Sequence, residues 1–346
     1  MYYAYFGLEK EPFSMTPDPG FLFLTAKHRE ALAGLLFAIT SRKGFLVLTG
    51  DAGTGKTTLL SRVMRSMPSE RAHFSYVLNP TLSPREFLEM VLLDFGFEDI
   101  PESKSQRLMK LQQFLVRGHR EGRTQVLIID EAQKLTPELL EEIRLLTNFE
   151  TAEQKLLQII LAGQTELTDL LNREELRQLK QRIAVRVGVE ALASPEVAQY
   201  IRSRWARAGA TCDVPFTGNA IQLIAAYSRG IPRVINSICD NALMNAFGDE
   251  VHTIGEKHIL EVAKDLQLTP SGAIRTGSAP GASLSRAASR AFSEAPPLAP
   301  PPPAVTKTPA PVREIEYPPT SFKTLERYMP PKKSSRWTVR LRVPKG

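Results

Sequence analysis

Two glycines, a lysine and a threonine at fixed spacing are the residues of this sequence whose chemistry is easiest to name. They fit the pattern G-x-x-x-x-G-K-[ST] in the run Gly50-Asp51-Ala52-Gly53-Thr54-Gly55-Lys56-Thr57, which Thr58 follows. Glycines let backbone N–H groups curl around a polyphosphate, the lysine reaches its terminal phosphates, and the threonine hydroxyl can ligate Mg²⁺. Residues 50–58 are therefore predicted to bind a nucleotide with Mg²⁺.

The residues on either side of this loop place it between a strand and a helix. Residues 45–48 are apolar and β-prone, and residues 58–64 have a helical pattern. This strand–loop–helix order distinguishes a phosphate-binding loop from a glycine-rich turn that happens to precede a helix.

A pair of acids follows a second apolar run. Residues 126–129 are aliphatic without polar alternation, which is typical of a parallel strand buried on both faces, and Asp130 and Glu131 come directly after them. Ligands of open α/β sheets bind outside the carboxyl ends of the strands. We therefore expect Asp130 to hold Mg²⁺ and Glu131 to orient or deprotonate the water that attacks the γ-phosphate. An acidic turn that caps the next helix is the alternative, and the loop upstream favours the catalytic interpretation.

Five further residues stay open on spacing alone. Gln164 follows the predicted buried strand 156–163, where it could bond the attacking water or the γ-phosphate, or simply begin a helix. His28 lies in a helix that starts near Thr25, and composition favours a solvated helix residue there. Arginines surround the short predicted strand 185–189; they are Arg177, Arg182 and Arg186.

The elements that must position these residues follow one another in the order of an α/β unit and then a helical unit. We predict a doubly wound parallel five-stranded sheet in residues 1–190 and an all-helical lid domain in 191–270. The segment 3–19 is rich in aromatics and proline, and we expect it to lie extended across a surface without helix. Ser83 is predicted to cap a helix, with proline next and glutamate three residues on.

The basic charge of the chain is concentrated at its carboxyl end. The net charge is +7, and residues 271–346 hold 13 Lys and Arg against 4 Asp and Glu, so residues 1–270 carry −2. This argues against nucleic-acid binding by the folded part and permits a salt-sensitive contact of the end segment with an acidic surface. Composition predicts a Pro/Ala-rich disordered tail over 271–346, where the alternating stretch 335–343 is either a short binding segment or a frayed terminus.

The sequence predicts a protein of the cytoplasm. No apolar run approaches the ~18 to 20 residues that cross a bilayer, and the first residues lack the pattern of a signal peptide. Peripheral association at the inner face of the membrane is the alternative. Cys212 and Cys239 belong to no CxxC or Cys/His cluster, so structural thiols are favoured over a disulfide or a metal site.

Over residues 1 to about 268 the sequence resembles the AAA+ ATPases of the general secretion pathway protein A type (ExeA/GspA-like). These are related to ATPases of pilus assembly and exopolysaccharide export. Besides the phosphate loop, the motifs that carry the resemblance are Tyr5-Phe6-Gly7-Leu8, Pro12-Phe13, Thr16-Pro17-Asp18-Pro19, His28-Arg29-Glu30-Ala31-Leu32, Asp130-Glu131-Ala132-Gln133, Gly163-Gln164, Gln181-Arg182-Ile183 and Gly230-Ile231-Pro232-Arg233.

The resemblance implies roles for the positions that spacing leaves open. By similarity, Gln164 is a sensor on the fourth strand, Arg182 an arginine finger offered to the nucleotide of a neighbouring subunit, and Arg233 a second sensor on the helical lid. It also places residues 13–17 and His28 on the adenine side. An arginine finger supplied across a subunit interface can raise the rate of phosphoryl transfer by ~10³- to 10⁵-fold. The other two arginines around residue 185 are the fallback candidates.

The resemblance implies Mg²⁺-dependent ATP hydrolysis in a homo-oligomeric ring or partial ring. Hydrolysis would drive assembly or remodelling of a protein partner in a cell-envelope secretion, pilus or polysaccharide export machine. The alternative is a DNA-binding ATPase of transposition or a similar DNA transaction, which the weakly acidic body disfavours and the basic tail permits. A nucleotide-bound scaffold without turnover would be expected to have lost Lys56 or Glu131, and both are present.

Overall fold

The computed structural model describes residues 2–16, 18–78 and 81–270. The strands are β1 Phe45–Thr49, β2 Ala72–Val77, β3 Thr124–Ile129, β4 Leu157–Gly163 and β5 Val185–Gly188. The α-helices are α1 Tyr2–Tyr5, α2 Ala26–Thr40, α3 Lys56–Ser66, α4 Pro84–Asp94, α5 Lys104–Arg120, α6 Pro137–Leu146, α7 Glu166–Leu171, α8 Arg177–Lys180, α9 Ser194–Arg207, α10 Gly218–Ser228, α11 Pro232–Gly248 and α12 Glu256–Asp265. Short 3₁₀ helices are Pro19–Phe21, Ala132–Lys134 and Glu174–Leu176.

The strands form a parallel sheet in the order β2-β3-β4-β1-β5. Leu46 of β1 lies opposite Ile160 of β4 on one side and Val185 of β5 on the other. Because all the strands run the same way, the segments that follow β1, β3 and β4 emerge at one edge of the sheet. The phosphate loop, the acid pair and Gln164 are those segments, so the topology alone brings them together.

Helices cover both faces of the sheet, which confirms the doubly wound α/β fold. On one face α2 and α3 pack against alternate strand residues, with Leu35 and Leu60 fully buried. On the other face α4 to α8 do the same, with Phe87 and Leu111 fully buried. The strands β1, β3 and β4 are buried along almost their whole length and consist mostly of apolar residues, because neither of their faces meets water.

The helix starts use the side-chain caps that the sequence indicates. Ser83 accepts from the backbone N–H of Glu86, whose carboxylate accepts from the Ser83 N–H in return, so the predicted capping box is confirmed. Thr25 and Thr136 cap α2 and α6 in the same way, each through its hydroxyl. Such a cap is worth about 1 kcal/mol because it satisfies a backbone donor that the helix leaves unpaired.

Helices α9 to α12 form a separate apolar core, which confirms that helical elements follow the sheet. Its buried members include Trp205 and Ile238. The amino-terminal segment contributes Phe6, Leu8 and Phe13 to this same core, and Phe13 is fully buried. The start of the chain is therefore bound to the helical part.

The prediction that residues 3–19 form no helix is wrong at the first residues, because Tyr2–Tyr5 is one turn of α-helix. Tertiary contacts override the local composition there. The Tyr5 ring stacks on His252 with 4.2 Å between centroids, and the Tyr2 hydroxyl donates to Asp240. Within the described residues, no helix has the length and apolar character needed to cross a membrane. The predicted disorder of 271–346 and the stretch 335–343 lie outside the described residues.

Candidate nucleotide-binding site

The phosphate loop joins β1 to α3 with a backbone that requires glycine. Gly53 and Gly55 have φ values of 80° and 100°, in the left-handed region that side chains disfavour. A Cβ on Gly53 would lie 2.8 Å from the Cβ of Arg233, so the space there is also closed. Lys56 is the first residue of α3, which directs the N-terminal end of the helix at the loop.

Lys56 is buried inside the loop that it completes. Its Nζ donates to the carbonyl oxygens of Gly50 at 2.8 Å and Asp51 at 3.0 Å. Burial lowers the pKa of Lys56, and the nearby carboxylates of Asp130 and Glu131 oppose that effect. A desolvated ammonium held by carbonyl oxygens alone is well suited to bind anionic phosphate oxygens in the same place.

Asp130 is held by three donors. Its Oδ2 accepts from the hydroxyl of Thr57 at 2.7 Å and from that of Tyr76 at 2.8 Å, and its Oδ1 accepts from the backbone N–H of Glu131 at 2.9 Å. Burial and the charge of Asp130 raise the pKa of Tyr76, so its hydroxyl stays protonated and donates. The carboxylate is thus fixed beside the threonine of the phosphate loop.

Two oxygen atoms suited to a divalent cation therefore lie together, those of Thr57 and Asp130. Mg²⁺ binds through one or two protein oxygens and takes its other ligands from phosphates and water. Across the described ranges, no cluster of three or more His, Cys, Asp or Glu could hold a metal by itself. The residues present fit Mg²⁺ that arrives with a nucleotide.

Glu131 has an unusual backbone conformation, and its side chain is bonded to Gln133. Its φ is 55°, in the left-handed region. Gln133 Nε2 donates to Glu131 Oε2 at 2.9 Å, and Gln133 Oε1 accepts from the backbone N–H of Gln164 at 3.1 Å. Gln133 thereby bridges the acid to the residue that follows β4.

The loop, Glu131 and Gln164 line one cavity of about 530 Å³, a volume typical of small-ligand sites. Its other walls are the segments 14–16 and 21–24, His28, and residues of the helical part that include Leu192, Tyr200, Arg204, Arg233 and Asn236. The structure thus brings Gln164 and Arg233 to the same cavity as the phosphate loop.

His28 lies in this cavity and is buried, so the expectation of a solvated helix residue is wrong. Its Nδ1 bonds the hydroxyl of Thr25 at 2.7 Å, and its Nε2 lies 3.5 Å from the carbonyl oxygen of Thr54. Composition could not predict this burial, because it depends on the loop that packs over the start of α2. Arg233 also meets the loop, since its backbone N–H donates to the Gly53 carbonyl at 3.4 Å.

Arg182 lies outside the cavity. Its Nη1 donates to Thr147 Oγ1 at 2.8 Å and to Asn148 Oδ1 at 2.6 Å, which anchors it beside the end of α6. Arg177 and Arg186 are exposed. None of the three arginines lines the cavity of its own chain.

Sequence reasoning missed Tyr76 and Gln133 as parts of the site. Tyr76 is the fifth residue of β2 and pairs with Ile128 of β3, so the neighbouring strand register could have placed it beside Asp130. Gln133 is within the motif that carries the family resemblance, but its bridging role depends on the backbone at Glu131. The hydrogen bonds that join Arg204 to Tyr200 and Tyr200 to Asn236 were also missed, because these residues come from different turns of two helices.

Comparisons with known proteins identify a family and a fold. A family model described as an AAA domain matches residues 39–171. General secretion pathway protein A of Aeromonas hydrophila is 42% identical over 259 residues, which are 73% of this chain and 46% of that relative. The match therefore spans less than half of the relative's length.

Solved structures share the fold at low identity. The ORC2 protein of Aeropyrum pernix in ADPNP and ADP complexes has a TM-score of 0.57 at 18% identity, covering 77% of this chain and 73% of that one. Drosophila ORC bound to DNA has a TM-score of 0.57 at 21% identity, covering 75% and 65%. At such identities these structures show the fold alone.

Proposed function

The chain belongs to the AAA ATPases related to general secretion pathway protein A, and from this we propose that it binds ATP with Mg²⁺ and hydrolyses it to ADP and phosphate. The observation that carries the proposal is the 2.7 Å bond between the Thr57 hydroxyl and the Asp130 carboxylate. It pairs the phosphate loop with the acid of another strand, where a nucleotide-bound cation would need its protein ligands.

The phosphate loop would bind the triphosphate through its backbone N–H groups and Lys56. Thr57 and Asp130 would hold Mg²⁺, with Tyr76 fixing the Asp130 carboxylate in place. The cation, when bound, neutralises charge on the phosphate oxygens. We keep the predicted cofactor-binding residues 50–58 and His28, because they line the cavity or form the loop that bounds it.

Glu131 would accept a proton from the water whose oxygen attacks the γ-phosphorus, while the bond to the ADP oxygen breaks. Gln133 holds the Glu131 carboxylate at 2.9 Å. Gln164 and Arg233 line the cavity, where an amide and a guanidinium can bond the γ-phosphate and sense whether it is present.

Arg182 is proposed to act on the nucleotide of a neighbouring copy in a homo-oligomeric ring or partial ring. Its distance from its own chain's cavity and its anchoring by Thr147 and Asn148 support this role. An anchored guanidinium can stabilise charge that develops on a transferred phosphoryl group with little loss of side-chain entropy.

We further propose that turnover drives assembly or remodelling of a protein partner in a cell-envelope machine, at or near the inner face of the membrane. The identity to a secretion pathway protein supports this process. We keep residues 1–190 as the nucleotide domain and 191–270 as its lid. A DNA transaction is not favoured, and it would predict that duplex DNA raises the ATPase rate of the full chain.

The test of ATP hydrolysis is the variant Glu131→Gln, assayed for Mg²⁺-ATP binding and steady-state turnover. We expect binding to persist and turnover to fall at least ~10²-fold, because general-base catalysis contributes about that much. The exposed Glu153 offers a control, and Glu153→Gln should leave both unchanged. A wild-type chain that binds no ATP, or a variant with unchanged turnover, would overturn the proposal.

A further inference from the structure

A hydrogen-bonded relay of buried polar side chains lies on the helical wall of the cavity. Tyr200, Arg204 and Asn236 are 5%, 7% and 8% exposed. Arg204 Nη1 donates to the Tyr200 hydroxyl oxygen at 3.2 Å, and that hydroxyl donates to Asn236 Oδ1 at 2.8 Å. All three line the same cavity as the phosphate loop.

The chemistry of the relay fixes the direction of each bond. A guanidinium has no acceptor, so Arg204 can only donate to the Tyr200 oxygen. Burial raises the pKa of Tyr200, against the opposing effects of Arg204 and Asn236, so the phenol keeps its single proton. That proton must then go to the remaining neighbour, the carbonyl oxygen of Asn236. The orientation of the Asn236 amide is thereby determined, because its oxygen faces Tyr200.

Among the described residues, the Asn236 NH₂ group is left as an unpaired donor at the cavity wall. Within the described part of the chain, no hydrogen bond is made by Asn236 Nδ2. An amide nitrogen offers two donors. A ligand of this cavity that presents a hydrogen-bond acceptor can therefore bond to Nδ2.

The position of Asn236 indicates which part of a nucleotide it meets. It lies one helical turn beyond Arg233, whose backbone contacts the phosphate loop at Gly53. Apolar side chains also line this cavity, among them Phe21 and Leu192, and the Phe21 ring centroid lies 4.8 Å from the Arg204 guanidinium. Such surfaces suit the faces of a base.

We propose that Asn236, oriented by Tyr200 and Arg204, donates its amide N–H to a ring nitrogen of adenine. This inference rests on the proposed function and names the base contact of that site. Adenine offers acceptor nitrogens at positions 1, 3 and 7, whereas guanine carries a proton on its N1. A fixed donor that meets N1 therefore favours adenine over guanine, because guanine N1 is itself a donor.

The relay also connects base recognition to the start of the chain. Arg204 Nε donates to the carbonyl oxygen of Pro12, and the neighbouring Arg207 Nη1 donates to the Gly20 carbonyl at 3.0 Å. Arg204 and Tyr200 are thus positioning residues, since they act on the base through Asn236.

The experiment measures the affinity of the full chain for ATP and for its 1-deaza, 3-deaza and 7-deaza analogues, each lacking one ring acceptor. We expect one analogue to bind the wild type about 3- to 10-fold more weakly than ATP, the worth of one hydrogen bond. In Asn236→Asp, which loses the donor, ATP and that analogue should bind equally.

Two further variants separate orientation and charge from the contact itself. Asn241→Asp adds the same charge to the same helix at a residue whose amide donates to the Ser237 carbonyl, and discrimination should persist there. Tyr200→Phe removes the proton that orients Asn236, so discrimination should fall while the donor remains. A purely structural Tyr200 would alter stability without changing the ratio of the two affinities.

The outcomes distinguish this inference from the proposed function. Inorganic tripolyphosphate, which has no base, should compete for the phosphate loop equally in the wild type and in Asn236→Asp. A wild type that binds neither ATP nor tripolyphosphate refutes the proposed function and this inference with it. A wild type that binds ATP and all three analogues alike refutes the inference alone, as does an Asn236→Asp chain that still discriminates.

Discussion

Gln133 offers a direct test of how Glu131 is positioned, because one amide side chain makes both bonds of the bridge. Its nitrogen donates to the Glu131 carboxylate at 2.9 Å, and its oxygen accepts from the backbone N–H of Gln164 at 3.1 Å. Gln133→Leu removes both bonds while keeping a similar volume. The Glu131 carboxylate then loses its hydrogen bond to the Gln133 amide.

The expected loss of kcat can be worked out because the Glu131 carboxylate, which accepts the bond, is charged. A hydrogen bond to a charged group is worth ~1.5 to 3 kcal/mol, and each 1.36 kcal/mol of barrier is about tenfold in rate. If the bond stabilises the transition state by aligning Glu131 with the attacking water, and does not stabilise bound ATP, Gln133→Leu should lower kcat by about 10- to 100-fold. ATP affinity should change little, since the phosphate loop makes no bond to Gln133 among the described residues.

A second partner of Glu131 provides the control. Lys134 Nζ lies 3.6 Å from Glu131 Oε2, and its side chain is 58% exposed. Such a surface pair contributes ~0 to 1 kcal/mol, so Lys134→Met should change kcat by less than about fivefold.

The assay combines steady-state ATP hydrolysis with equilibrium nucleotide binding for Gln133→Leu, Glu131→Gln and the double variant. If Gln133 acts through Glu131, its effect on kcat should largely vanish once Glu131 is already replaced. Additive losses in the double variant, or a Gln133→Leu chain with weakened ATP binding and unchanged kcat, would refute the positioning role.

Two other predictions concern the interface and the loop. Arg182→Ala should keep ATP binding and lose turnover by ~10³-fold or more, measured at protein concentrations that span assembly; unchanged turnover would move the role to Arg177 or Arg186, whose alanine variants are the matched comparisons. Gly53→Ala should weaken ATP binding at least about tenfold, because a left-handed residue with a side chain costs ~1 to 2 kcal/mol and the new Cβ would meet Arg233 at 2.8 Å. Binding titrations on a variant with a wild-type circular dichroism spectrum test the second prediction, and wild-type affinity would contradict it.

The sequence predicts the sheet well because its buried strands can be recognised from their own residues. Residues 126–129 are aliphatic and 156–163 are apolar except for Gln158, and each run is followed by a polar residue that a parallel sheet must place at one edge. The start of α4 can be recognised in the same way, because the spacing of Ser83 and Glu86 is that of a capping box. Local chemistry decided these elements, so no knowledge of distant contacts was needed.

The parts that sequence reasoning missed depend on contacts between distant segments. His28 is buried because the phosphate loop lies over it, and Tyr2–Tyr5 is helical because its rings meet α11 and the segment around His252. Neither effect leaves a periodic signal in the sequence. The same is true of Gln133, whose bridge needs the left-handed backbone of Glu131.

The amino-terminal segment connects the nucleotide cavity to the helical part of the chain. Phe6 and Phe13 are buried in the core of α9 to α12, while residues 14–16 of the same segment line the cavity. The helical wall of the cavity contributes Arg233 to the phosphate loop and Asn236 to the proposed base contact. A nucleotide that bonds the loop at one end and Asn236 at the other would hold the helical part and the sheet edge in one arrangement. Release of the γ-phosphate would remove only the contacts that Gln164 and Arg233 make to it. The helical part and the start of the chain would then respond as one body, because they share one apolar core.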